Sequence, residues 1–383
     1  MNVIKSSRRH FYLLLIIVFL LVSGLLAAYL ITADLPSRNP LKKLADDQQQ
    51  YTQASAGNNI TFPKAHSPHK GYRHEWWYLT TNLTSENGQR FASQWTLFRT
   101  AVNNRHWYFA HAALADTKEH LSAFRNGREE LGNVEVSDRP FRAVIDDWIW
   151  QSSAQLLPAR LSYGSSNYGG SNEPLKNASA QDPVLESEDL EQENWQVKLS
   201  LSSSKPFYLQ GNKGFSKKHH SEDIASHYYS QPFIDVKGEI LWQGKRQRVT
   251  GNAWFDREWG SSMLAQDQQG WDWFSLRLSK DKALMIYRIR SQEDDFLYGS
   301  LMHSSGKIDI LEIKDINLQS RLISELGYPQ AFTLKVESQG IDINIDIINN
   351  KQIMRFAIEY FEGMVTFNGS HTGQGFVEMT GYN

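Results

Sequence analysis

Short runs rich in apolar, aromatic and β-branched residues, separated by turn signals, recur through this chain and read as β-strands, some with the period-two alternation that buries one face. Trp195-Gln196-Val197-Lys198-Leu199-Ser200-Leu201 is a plain instance. Trp76 to Leu83 and Arg90 to Arg99 flank Ser85-Glu86-Asn87-Gly88, and Asn-Gly between two such runs signals a hairpin. Glu239–Trp242 and Arg246–Trp254 flank Gly244-Lys245, and Trp273–Leu278 and Ala283–Ile289 flank Ser279–Lys282. Phe332–Val336 and Ile341–Ile347 flank Ser338-Gln339-Gly340 in the same way. Strands recurring about every 8–12 residues between turn signals lead to barrels or sandwiches rather than alternating strand–helix units. Only Asp315–Leu326 reads as a short helix. The class expected is all-β.

One segment departs from this pattern altogether. Phe11–Ala33 is an uncharged apolar run preceded by Lys5, Arg8 and Arg9. At about 1.5 Å per helical residue it is long enough to cross a hydrocarbon core ~30 Å thick. The basic flank keeps the N-terminal side in the cytoplasm. The expected arrangement is a basic cytoplasmic tail over 1–10, a single-pass inner-membrane anchor over 11–33 and a body in the periplasm. Ile31-Thr32-Ala33 also suits signal-peptide cleavage, which would release the body into the periplasm. Residues 34–65 are polar, with prolines near both ends, and read as a linker or partly ordered collar. Roughly 320 residues follow the anchor, enough for two domains. The stretch 164–194, rich in Ser, Asn, Gly and acidic residues, has little to bury and is expected to be a disordered insert.

The chain has no cysteine, so disulfides, thiol catalysis and cysteine-ligated zinc are excluded. A net charge of −2 offers no basic footprint, and no nucleic acid is expected as a partner. Aromatic residues make up 12% of the chain and cluster at Trp76-Trp77-Tyr78, Trp107-Tyr108-Phe109, Trp148 with Trp150, and Trp271 with Trp273-Phe274. On a strand, neighbours point to opposite faces, so Trp76 and Trp77 cannot enter one cavity together. These rings serve either as core filling or as the wall of a cavity for an apolar ligand inside a small barrel.

Three polar clusters interrupt the aromatic pattern: His74-Glu75, His227-Tyr228-Tyr229-Ser230, and Asp256-Arg257-Glu258 between Trp254 and Trp259. Carboxylates and an arginine among aromatics are costly unless paired. One reading is a buried Asp–Arg–Glu network that joins two sheets. The other is acid–base chemistry, in which apolar surroundings raise a carboxyl's pKa while His74 or His227 takes up a proton or orients water. His74-Glu75 is not followed by the second histidine of a helical zinc motif. No ligand spacing supports a metal site built from His74, His111, His227 and Asp256, and no metal or cofactor is expected. Nucleophile-elbow, phosphate-loop and dinucleotide signatures are absent from the sequence.

Four motifs together resemble the AttH family, which includes carotenoid 1,2-hydratase (CrtC) and proteins labelled predicted secreted hydrolases. They are Gly71-Tyr72-Arg73-His74-Glu75-Trp76-Trp77-Tyr78, Ser226 to Ser230, Gly251 to Gly260, and the C-terminal pair Tyr360-Phe361-Glu362-Gly363 and Gly375 to Tyr382. The resemblance implies two consecutive lipocalin-like antiparallel β-barrel domains after the N-terminal transmembrane helix. The first covers 66–262 with its acidic insert, and the second covers 263–383. It further implies a bacterial cell-envelope setting, commonly beside an ABC transporter with an FtsX-like permease. In carotenoid hydratase an acid protonates an alkene and water captures the cation. By resemblance Asp256 is that acid, with His227 and tryptophans around it. Many relatives carry a lipid-bearing cysteine that this chain lacks, and the helix over 11–33 would do the tethering instead.

Three functions follow as expectations. One is a carrier or transporter accessory that binds an apolar small molecule or lipid. The second is a hydratase or hydrolase with Asp256, Glu258, His74 and His227 as the catalytic set. In either case Trp76, Trp77, Tyr78, Tyr228, Tyr229, Trp254 and Arg257 are the candidate ligand contacts. The third is a protein-interaction module with filled barrels.

Overall fold

The computed structural model describes residues 51–103, 105–165, 194–356 and 358–382. The expected tail, the anchor at 11–33, the first part of the linker and the acidic insert over 166–193 lie outside the described residues. No helix among the described residues is long and apolar enough to cross a membrane.

The runs between turn signals become strands nearly everywhere among the described residues. The first sheet begins with β1 (His74–Ser85), β2 (Arg90–Val102), β3 (Arg105–Ala115) and β4 (His120–Gly127). Five shorter strands follow: β5 (Val134–Asp138), β6 (Phe141–Ile145), β7 (Trp148–Ser152), β8 (Ala159–Gly164) and β9 (Gln196–Ser202). It ends with β10 (Tyr208–Leu209), β11 (Phe215–Lys217) and two long strands, β12 (Ala225–Trp242) and β13 (Lys245–Ser262). Their order in space is β4-β3-β2-β1-β13-β12-β9-β8-β7-β6-β5, with β10 and β11 also paired to β12. The sheet curls into a nearly closed barrel. Its two ends are tied by side chains: Asn133 Nδ2 donates to the Asn126 carbonyl at 3.0 Å, and Arg125 Nε to Asp147 Oδ1 at 2.9 Å.

The second sheet contains β14 (Gln268–Arg277), β15 (Lys282–Ser291), β16 (Phe296–His303), β17 (Ile308–Ile310) and β18 (Ile316–Ile323). It continues with β19 (Pro329–Val336), β20 (Ile341–Ile347), β21 (Ile353–Arg355), β22 (Glu359–Gly369) and β23 (Gly373–Thr380). In the order β17-β16-β15-β14-β23-β22-β20-β19-β18, with β21 on β22, it forms a half-barrel rather than a closed one. The helix expected at Asp315–Leu326 is instead the edge strand β18. Ile316 and Leu318 point into the core while Asn317 and Gln319 point out, a strand period read against β19 (Leu318 opposite Leu334).

The expected hairpin between Trp76–Leu83 and Arg90–Arg99 forms as β1 and β2. The β12–β13 turn uses Gln243 (φ 48°) and Gly244 (φ 72°), the two positive-φ positions that a tight two-residue hairpin demands. The described part of the linker packs against the body: Trp77 Nε1 donates to the His66 carbonyl at 2.9 Å, and Ser261 Oγ to the Thr52 carbonyl at 2.5 Å.

Alternation sorts the side chains into three apolar clusters. The interior of the first barrel is filled by Trp77, Leu79, Trp95, Trp150, Phe255 and their neighbours. The half-barrel encloses Phe274, Leu284, Phe332, Ile343 and Phe361. A third cluster, with Tyr78, Tyr228, Trp254, Trp273 and Tyr287, lies between the sheets, because it takes residues from both. Among the described residues, the aromatic cavity is therefore not inside the first barrel, where it was expected. Large rings occupy that space, and the cavity lies on the outer face of the first sheet.

Candidate functional site between the two sheets

Three adjacent strands, β1, β13 and β12, build one wall of that cavity. Their register aligns Trp76, Glu258 and Tyr228 in one row and Tyr78, Asp256 and Ser230 in the next. Successive residues on a strand face opposite ways, so Glu75, Trp77, Arg257 and Tyr229 turn toward the barrel interior. The cavity measures about 160 Å³, and its wall includes His74, Trp76, Tyr78, Tyr228, Asp256 and Glu258 from the first sheet. Trp271, Trp273 and Glu378 face it from the second.

Asp256 is 2% exposed and surrounded by donors. Its Oδ1 accepts from Ser230 Oγ at 2.5 Å and Trp254 Nε1 at 2.9 Å, and its Oδ2 from Tyr228 OH at 2.8 Å. Trp273 Nε1 reaches Tyr228 OH at 3.2 Å from the second sheet. Behind Ser230, Gln210 Nε2 donates at 2.9 Å while its Oε1 accepts from Ser300 Oγ at 2.8 Å and Tyr298 OH at 3.1 Å. Residues of both sheets thus orient one carboxyl. Burial pushes Asp256 up to about 7 against the pull of these donors, with the neighbouring Glu258 adding to the rise.

Glu258 is held differently. Lys218 Nζ lies 2.7 Å from its Oε1, which also accepts from Ser226 Oγ. The Lys218 ammonium sits over the rings of Tyr287 (4.5 Å) and Tyr228 (5.0 Å). Glu378, across the cavity, accepts from Trp271 Nε1 at 2.5 Å and is pushed by burial to about 7. Glu362 stands directly opposite Glu378 in the β22–β23 register.

His74 lines the cavity, bonded through Nδ1 to Thr100 Oγ1 at 2.6 Å; burial lowers it to about 3, which keeps the ring neutral. His111 does likewise, with Nδ1 at 2.7 Å from Tyr360 OH and burial holding it at about 3. His227 is not among the lining residues. It packs in the first barrel between Tyr72 and Trp259, with both ring nitrogens lacking a hydrogen-bond partner among the described residues.

Two corrections to the expected contacts follow from alternation. Trp77, Tyr229 and Arg257 are interior residues: Arg257 stacks on Trp77 at 3.8 Å, and Tyr229 OH meets His66 Nδ1 at 2.6 Å. Asp256, Arg257 and Glu258 form no joint network. Arg257 instead pairs with Glu75, which also binds Arg99. Trp254 reaches the site through Asp256. Of the residues weighed as metal ligands, His74, His111, His227 and Asp256 do not come together. Among the described residues the metal-sized trio is His219, Glu222 and Asp267. The His219 Nδ1 there accepts from the Ser221 and Glu222 backbone N–H groups, so Nε2 carries the proton and has no lone pair to offer.

Sequence reading missed Glu378, Glu362, Lys218 and the role of His111 beside Tyr360. A signal was present for the two glutamates: each is an acid set directly among apolar residues, Tyr360-Phe361-Glu362-Gly363 and Phe376-Val377-Glu378-Met379.

A search of curated proteins gives no significant match. Among solved structures, the crystal structure of an AttH candidate from Nitrosomonas europaea matches with a TM-score of 0.71 and 28% identity, covering 87% of this chain and 100% of that one. Kievitone hydratase from Nectria haematococca shares the fold with a TM-score of 0.61 and 14% identity, covering 86% of this chain and 95% of that one. The family model described as AttH-like matches residues 53–382, nearly all of the described body, and the chain belongs to the AttH-like family.

Proposed function

We propose that the cavity between the sheets binds an apolar molecule and transfers protons to and from it, in a hydratase-type reaction that adds water to a carbon–carbon double bond or removes it. One observation carries the reading: Asp256 on one sheet and Glu378 on the other both border an aromatic cavity, and burial pushes both up to about 7. A pKa near the working pH suits a group that must both give and take a proton. Tryptophan and tyrosine faces give an apolar substrate its contact area and can stabilise positive charge that develops on it. Kievitone hydratase, by its name a hydratase, has the same fold. A carrier gains nothing from burying several carboxyls beside its ligand, and their desolvation is costly. The geometry therefore favours the acid–base reading over simple carriage.

The substrate in this proposal is a small apolar molecule or lipid drawn from the envelope. The body works in the periplasm, tethered through 11–33 to the inner membrane, with an ABC transporter of the FtsX-like class as its partner.

The test is incubation of the full chain with an apolar membrane extract in heavy-oxygen water, followed by mass spectrometry. Products bearing one added labelled water, absent with Asp256→Asn, are the expected result. Stoichiometric recovery of unmodified apolar compounds from both proteins would establish a carrier instead.

A further inference from the structure

We propose that Glu362 and Glu378 act as one unit, a carboxylic acid paired with a carboxylate that offers a single proton to the cavity from the second sheet, while Asp256 serves from the first sheet as the base. Tyr78 is the hydroxyl that adjoins the pair. The catalytic use of this unit rests on the proton-transfer reading above. The pairing itself is a property of β22 and β23 and stands or falls separately.

Register partners on neighbouring antiparallel strands project side chains to the same face, about 4.5–5.5 Å apart at Cβ. Glu362 and Glu378 are such partners, and Trp273 follows opposite Glu378 in the same row. Glu362 is 1% exposed, and among the described residues neither of its oxygens meets an ordinary donor. What adjoins them is the Glu378 carboxyl and the Tyr78 hydroxyl, itself buried and, among the described residues, without a hydrogen bond of ordinary geometry. The groups that act on the pair are Tyr78 from β1, Trp271 from β14, Tyr360 from β22 and Glu258 from β13; all are neutral or acidic. With no cation among the described residues acting on the pair to balance two negative charges, one proton shared between the carboxyls avoids placing two buried anions side by side. Burial and the neighbouring carboxyl accordingly drive Glu362 well above the usual carboxylate range. Glu362 does not line the cavity, so it is a positioning residue that acts through Glu378.

The contrast with Asp256 sets the division of labour. Three donors converge on Asp256, which favours its anion, whereas Glu378 has one indole donor and an acid behind it. In hydration, the π electrons of the double bond take the proton of the pair and form a C–H bond. Water oxygen bonds to the other carbon, and the proton it sheds goes to Asp256. Asp256 then returns that proton to the pair through water entering the cavity, which closes the cycle. Dehydration runs the same steps backward.

The test is infrared titration of the full-length chain, following the C=O stretch of protonated carboxyls in the wild type and in Glu362→Gln, Glu378→Gln, Tyr78→Phe and Asp256→Asn. At about pH 8, where ordinary carboxyls are ionised, the wild type should keep one such band. Glu362→Gln should abolish it and let Glu378 titrate at lower pH, and Tyr78→Phe should shift its frequency. Asp256→Asn should leave it in place. No band in the wild type, or a band unmoved by Glu362→Gln and Tyr78→Phe, would overturn the pairing. If Glu362→Gln does not fold, the Tyr78→Phe shift decides the matter. A persistent band with no heavy-oxygen incorporation would reject the reaction while leaving the pair standing.

Discussion

Asp256 and its neighbours act one residue at a time, and their substitutions separate chemistry from packing. Asparagine at 256 keeps the side-chain shape and the Tyr228 contact but cannot exchange a proton. Asp256→Asn is expected to lower heavy-oxygen incorporation by ~10²–10⁴-fold, with bound ligand still recovered in the extract. Trp76 and Trp77 make a second contrast, since adjacent positions on β1 face the cavity and the filled interior respectively. Trp77→Ala empties a packed site and removes the ring under Arg257, so a urea melt should show a loss of about 3–5 kcal/mol. Trp76→Ala should leave the melt far less changed and weaken retention of the apolar ligand. The alternation rule made this split legible from sequence without saying which tryptophan went where. Glu362 and Glu378 were harder to find, because one acid set among apolar residues gives no hint that its register partner is another acid.

At the scale of a strand, β1 joins two separate polar systems. Its His74, Trp76 and Tyr78 meet the cavity, and Glu75 at the cavity's edge binds Arg99 of β2 and Arg257 of β13 together, with all three side chains fully buried. The two guanidiniums hold Glu75 far below the usual carboxylate range against the opposing effect of burial. A depressed carboxyl contributes stability above its unfolded pKa and loses it as pH falls. Glu75→Gln leaves two cations without a counter-charge, and equilibrium unfolding at neutral pH should show a loss of about 3–5 kcal/mol. The sequence motif Asp256-Arg257-Glu258 looked like one ion-pair network because its members are adjacent. Adjacency on a strand separates them, and Glu75, remote in sequence, is the true partner. A related pH effect belongs to His74 on β1, His111 on β3 and His227 on β12, all lowered by burial, to about 3, 3 and 4 respectively. They stay neutral in the fold but protonate in the unfolded chain below its pKa of ~6.5. Between there and about pH 4, each should reduce stability by about 1.4 kcal/mol per pH unit. Thermal melts across that window, flattened by His111→Phe, check the claim.

At the scale of the whole molecule, the site exists only where two sheets meet. Asp256 is steadied through Gln210 by Tyr298 and Ser300, and Glu378 comes from the last strand. Strand periods revealed the all-β class and most hairpins, because those depend on local alternation. They could not reveal that the barrel interiors are filled and the cavity lies outside them, because that depends on which sheet face meets which, across residues far apart in the chain. The N-terminal segment poses the remaining question at this scale. An apolar substrate partitions into the bilayer, so a body tethered at its surface meets a far higher local concentration than one adrift in the periplasm. The proposed anchor predicts that the full chain sediments with membranes and resists alkaline carbonate, while protease added to spheroplasts digests the body. Deleting residues 1–33 and supplying a cleavable export signal should release the body in soluble form, with heavy-oxygen incorporation intact on detergent-dispersed extract but reduced on intact membranes. A soluble, shortened protein from the unaltered chain would show that Phe11–Ala33 is cleaved. The substrate would then have to reach the cavity through water.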